Sequence, residues 1–109
     1  MSTITQSARG EECLVRLPGI CNHNPETVVW IHANGSAAGK GIGVKSNDLL
    51  GAYACSACHA VVDRLVPLPA HLTREAAKLA FHEGHQRSIL RLIEKGIVVM
   101  VRGKVQVAA

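Results

Sequence analysis

A chain of 109 residues that is 48% apolar but only 3% aromatic leaves no length for a second hydrophobic core and few large rings to fill the first. Lys and Arg outnumber Asp and Glu by 12 to 8, a net charge of +4 with neutral histidines, which favours a polyanionic partner without singling one out. No apolar run has the length of a membrane span or signal-peptide core, so a cytoplasmic protein with no membrane partner is expected; in that reducing setting four cysteines suggest metal ligation before disulfides.

Residues 1–10 are polar and are expected to form a flexible N-terminus. Glu12 to Leu17 alternates like a short strand and runs into the Pro18-Gly19 turn, which returns Cys21 toward Cys13 as a knuckle. Asn22-His23-Asn24-Pro25 is a turn by composition, and Thr27 to His32, rich in β-branched and aromatic residues, predicts a buried strand ending on His32. From Ala33 to Asn47 the glycines leave a loop that carries Lys40 and Lys45. It lacks the G-x-x-x-x-G-K-[ST] order of a nucleotide-binding loop, so the two lysines are expected to grip phosphates of a nucleic acid instead.

Leu49 to Ala54 predicts a second strand delivering the chain to Cys55 and Cys58. Ser56 could cap a helix over 57–65, stopped by Pro67 and Pro69, on which His59 and Asp63 share a face at i and i+4. A longer helix follows over 73–95, with Thr73 as N-cap and Gly96 beyond its end; Ala76, Leu79, Ala80, Ile89, Leu92 and Ile93 form the stripe expected to cover the sheet. Ile97 to Val101 and Lys104 to Val107 flank Arg102-Gly103, the two-residue turn of a hairpin over 97–108. The whole is expected to be one α+β domain, with a knuckle and two-strand-plus-helix core over 11–66.

A structural zinc ion takes four ligands in a tetrahedron and favours thiolates. Here one pair, Cys13 and Cys21, sits on a turn, and the other, Cys55 and Cys58, opens a helix, the plan on which treble-clef zinc modules are built. The seven residues inside the first pair exceed the usual spacing. The competing reading makes Cys13 and Cys21 ordinary buried thiols and Cys55/Cys58 a redox pair, although no βαβ pattern surrounds the C-x-x-C.

The order of knuckle cysteines, strand-end His32, Asn47-Asp48 and then Cys55-Ser56-Ala57-Cys58-His59 resembles the HNH, or ββα-metal, endonucleases, and is most similar to the YbcO-like nucleases of prophages. The resemblance is carried by Glu12 to Asn22 with Asn24-Pro25-Glu26-Thr27, by Ala54 to His59 and by Asp63-Arg64, and covers roughly residues 8 to 64. It implies a treble-clef, ββα-metal fold that hydrolyses DNA in phage recombination or processing, with Mg²⁺ or Mn²⁺ at the catalytic centre. Cutting a phosphodiester needs a base to activate water and a cation to neutralise developing charge. By the family pattern His32 would be the base, Asn47 would orient it or tether its strand, and His59 with Asp48 or Asp63 would hold the catalytic metal. One departure stands out: many members of the wider family carry an acidic residue or a second histidine just before the strand-end histidine, and this chain carries Ile31. The alternatives are a zinc-stapled module of the same fold that binds nucleic acid without cutting, and an interaction domain whose hairpin edges pair to form a homodimer. His23, His71, His82 and His85 are expected to be solvated.

Overall fold

Two short antiparallel strands form the centre of the fold in the computed structural model, which describes residues 3–33 and 49–108. β1 (Val29–His32) and β2 (Gly51–Ala54) pair with Trp30 opposite Tyr53 and His32 opposite Gly51. β-branched and aromatic residues suit a pleated, half-buried surface, and the Trp30 and Tyr53 rings meet edge to face at 5.4 Å. Every residue of β2 is buried, because one helix lies across it.

That helix, α3 (Arg74–Glu94), follows α2 (Ser56–Val62) and begins where the sequence places it: the Thr73 hydroxyl accepts the Ala76 amide at 3.0 Å, and Gly96 beyond the end adopts φ +73°. Its packing face differs from the predicted stripe. Ala77, Phe81, Gly84, Ser88 and Leu92 are buried, while Leu79, at 60%, and Ile93, at 41%, stay exposed. The reason is the closeness of approach. A Cβ on Gly84 would stand 2.8 Å from Val15 Cγ2 and 2.9 Å from Val15 Cα, so α3 meets the knuckle through small residues that a hydrophobicity pattern passes over. Ser88 is fully buried but satisfied, its hydroxyl donating to the Gly84 carbonyl at 2.6 Å and accepting the Tyr53 amide at 2.9 Å.

Four local expectations are corrected. The N-terminus contains helix α1 (Thr3–Ser7), whose Ile4 is buried along with Ala8 beyond it. Ser7 Oγ donates to the Ile4 carbonyl and lies 2.6 Å from the Tyr53 hydroxyl, while Lys95 Nζ donates to the Ser7 carbonyl at 3.0 Å. Residues 12–17 form no strand: Leu14 lends its amide to the Tyr53 carbonyl at 2.9 Å, then Arg16 turns to φ 55° and breaks the extended run. α2 is capped by Cys55, not by Ser56; the Cys55 thiol accepts the Cys58 amide at 3.4 Å. α2 also ends earlier than expected. Arg64, at φ 59°, donates to the Val61 carbonyl and Leu65 to that of Ala60, the paired bonds of a Schellman ending.

After α3 the chain forms the hairpin of β3 (Val98–Val101) and β4 (Lys104–Val107), with Arg102 and Gly103 both at positive φ as a two-residue I′ turn demands. Val98 is buried, whereas Val99, Met100, Val101 and Val107 are exposed. One apolar cluster joins Ile4, Val15, Trp30, Tyr53, Val61, Leu92 and Val98, so α1, the knuckle, both sheets and both longer helices share buried surface.

Candidate metal centre and basic cleft

The knuckle closes because Leu17's carbonyl accepts the amides of both Ile20 and Cys21, at 3.2 and 3.0 Å, while Gly19 takes φ +70°. This turn carries Cys21 back beside Cys13. β2 ends at Cys55, and the first turn of α2 places Cys58 over it. A side-chain network locks the two halves: the Asn22 side-chain amide donates to Ser56 Oγ at 3.0 Å, and the Ser56 amide donates to Thr27 Oγ1 at 3.2 Å.

All four sulfurs lie within 4.8 Å of one another, and the Cys21 and Cys55 sulfurs are 3.9 Å apart. Zinc–sulfur bonds of about 2.3 Å in a tetrahedron require sulfurs roughly 3.8 Å apart, so the four cysteines could hold a zinc ion. All are free thiols, and all but Cys21 are buried. The Cys58 thiol's hydrogen bond to Cys13 holds Cys13 down to about 4, and that same bond drives Cys58 far upward. Burial, above all, pushes Cys21 up to about 11. Ionising all four calls for a cation in their midst. His23, expected to be solvated, places Nδ1 3.7 Å from the Cys21 sulfur.

At the other end of α2 an open cleft of ≈ 520 Å³ lies between the end of β1, the end of α2 and the first half of α3. His32 and Asp63 both line it, and Asp63 Oδ2 meets His59 Nε2 at 2.8 Å, as the shared helix face predicts. Gly51, the strand partner of His32, has its carbonyl 2.7 Å from His85 Nδ1, so a second histidine expected to be solvated has a structural contact. Ile31 is only 3% exposed and belongs to the core, so the residue before His32 supplies no ligand to the cleft.

The remaining wall was not found from the sequence: Arg64, Arg74, Lys78 and His82 line the cleft as well. Arg74, Lys78 and His82 recur every four residues on α3, and that spacing was the available signal. Asn47, Asp48, Lys40 and Lys45 lie outside the described residues. Among the described residues, the cysteines form the one group of three or more potential ligand atoms gathered this closely.

The family described as "Putative nuclease YbcO" matches residues 2–97. Two relatives bearing that name, one from Escherichia coli (strain K12) and one from Enterobacteria phage 82, are each 38% identical over 99 residues, covering 90% of this chain and 98% of the relative. Among solved structures, "Structure of a putative bacteriophage protein from Escherichia coli str. K-12 substr. MG1655" is 37% identical with a TM-score of 0.68, covering 84% of this chain and 96% of that one. The β3–β4 hairpin begins where the family match ends.

Proposed function

The chain belongs to the YbcO nuclease family, and from that premise we propose that it is a metal-dependent endonuclease of HNH type that hydrolyses DNA in phage or prophage DNA processing. The observation that carries the reading is that His32 and Asp63, supplied by different elements, line one cleft, with His59 Nε2 held 2.8 Å from the Asp63 carboxylate. His32 takes the proton of the attacking water, for which a positioned imidazole suits operation near neutral pH. A hydrated Mg²⁺ or Mn²⁺ commonly keeps several waters and needs one or two carboxylates, a demand that the described imidazole and carboxylate fit. His59 and Asp63 would hold it, with Asp48 as a further ligand; when bound, it supplies Lewis acidity that offsets charge on the phosphate and the leaving oxygen. Asn47 orients His32, and Lys40 and Lys45 grip phosphates. The zinc ion of the cysteine cluster plays a separate, structural part. It staples the knuckle and β2 to the start of α2, whose other end bears His59 and Asp63, completing a treble-clef arrangement.

A second reading is favoured by the burial of Ile31: a zinc-stapled module that binds nucleic acid but has lost cleavage. The deciding experiment is nicking of supercoiled plasmid with Mg²⁺ or Mn²⁺, run beside His32→Ala and an EDTA control. Nicking that falls on the order of 10²-fold or more in His32→Ala supports the nuclease and its base. Plasmid left intact by the wild type under both ions, with DNA binding that persists in EDTA, replaces it with the binding module.

A further inference from the structure

The cleft beside His32 carries an excess of positive charge: Arg64, Arg74 and Lys78, with His82, face a lining whose one carboxylate, that of Asp63, is already engaged by His59. Arg74, Lys78 and His82 stand on successive turns of α3, so the row spans about 12 Å at 1.5 Å per residue. One strand of a DNA duplex carries a charge about every 3.4 Å of axis, and the row thus spans between three and four phosphate spacings. Arg74 is partly committed, since one guanidinium nitrogen donates to the Val61 carbonyl at 3.1 Å, an arrangement that fixes its head at the cleft. Lys78 is exposed, with no hydrogen-bond or ion-pair partner among the described residues. Arg64 adds a separate indication. It occupies the left-handed position at the end of α2, where glycine is the unstrained choice, and in doing so brings a cation to the cleft.

We propose that the Arg74–Lys78–His82 face of α3, with Arg64, is the grip that holds the phosphate backbone of duplex DNA while His32 faces the bond to be cut. The identity of the polyanion rests on the nuclease reading. Apart from Arg64, the grip lies on the long helix, outside the two strands and short helix that bear the candidate chemistry, so binding and cleavage are separable by mutation at Lys78. Its contacts go to phosphates, giving affinity without reading sequence.

The test is fluorescence anisotropy of a short labelled DNA duplex without added Mg²⁺ or Mn²⁺, titrated over a series of salt concentrations, with wild type, Lys78→Ala, Lys78→Arg and Lys104→Ala. Lys104 is equally a surface cation but lies on the hairpin, outside the lining of the cleft. Losing one phosphate contact lowers the slope of log affinity against log salt by about 0.9. That fall is expected in Lys78→Ala, with recovery in Lys78→Arg and no change in Lys104→Ala. A wild type with no measurable affinity for the duplex overturns the grip, as does a Lys78→Ala slope equal to that of wild type. The nuclease reading fails independently: a Lys78-dependent slope in a protein that never nicks plasmid keeps the grip and removes the enzyme, whereas nicking with a Lys78-independent slope does the reverse.

Discussion

Gly84 rests against Val15 so closely that a Cβ built on it would lie 2.8 Å from a Val15 methyl carbon and 2.9 Å from the Val15 Cα. Helix propensity alone makes Gly84→Ala stabilising by about 1 kcal/mol. The contact reverses the sign, because the obstructing atoms include backbone and overpacking a well-fitted core costs roughly 1 to 3 kcal/mol. Gly84→Ala is therefore expected to unfold at lower urea concentration than the wild type, with an unchanged slope. An upward shift in the midpoint would show that α3 and the knuckle can separate without penalty.

The cysteine cluster predicts one zinc ion per chain, measured by elemental analysis on protein purified without chelator. Cys58→Ser replaces a fully buried thiol beside the other three sulfurs and is expected to lose the metal and much of the thermal stability together. Less than about half an equivalent in the wild type removes the structural-zinc assignment. Retention of a full equivalent by Cys58→Ser removes Cys58 from the ligand set.

The parts of this fold that were legible in the sequence are those set by local chemistry. Thr73 and Gly96 delimit α3, Arg102-Gly103 specifies the hairpin, and the run from Val29 to His32 becomes β1. The four cysteines also declare themselves, because thiols in split pairs have few other uses in a small domain. What the sequence hid depends on tertiary contact. α1 looks like a polar tail until Ile4 is buried and Ser7 meets Tyr53. The packing face of α3 is hidden because its centre is Gly84 and Ser88 while large apolar side chains such as Leu79 and Leu90 point outward. The basic wall of the cleft was missed for a related reason: Arg74, Lys78 and His82 look like an ordinary solvated helix face until β1 delivers His32 beside them.

Glu11 joins the N-terminal segment to the end of α3, accepting from Arg91 Nε at 2.7 Å and from Lys95 Nζ at 3.1 Å. The Arg91 hydrogen bond, chiefly, holds its carboxyl below the ordinary value of 4.5. A depressed carboxyl contributes stability that is fully present above the unfolded pKa and is lost as pH falls through the folded one. Glu11→Gln is therefore expected to melt below the wild type at pH 7, with the two curves converging as pH drops past 4.5 and coinciding below the folded pKa. A gap between the two proteins that stays constant down to acid pH would assign the loss to packing instead of charge.

Asp63 makes opposite demands on binding and on chemistry, and this opposition gives its removal a distinctive signature. Its carboxylate holds His59 Nε2 at 2.8 Å and is at the same time the one acidic group among the described residues lining a cleft otherwise rich in cations. Asp63→Asn keeps the shape and a hydrogen-bonding side chain but takes the charge away. If Asp63 and His59 anchor the catalytic cation, cleavage should fall by at least 10- to 100-fold, the cost typical of losing even a residue that only orients a ligand. Affinity for duplex DNA without added Mg²⁺ or Mn²⁺ should rise, because a negative charge facing phosphates has been deleted. The expected variant thus binds more tightly and cuts more slowly. Weaker binding accompanied by slower cutting would mean instead that Asp63 serves the fold of α2, whereas unchanged cutting would take the His59–Asp63 pair out of the reaction.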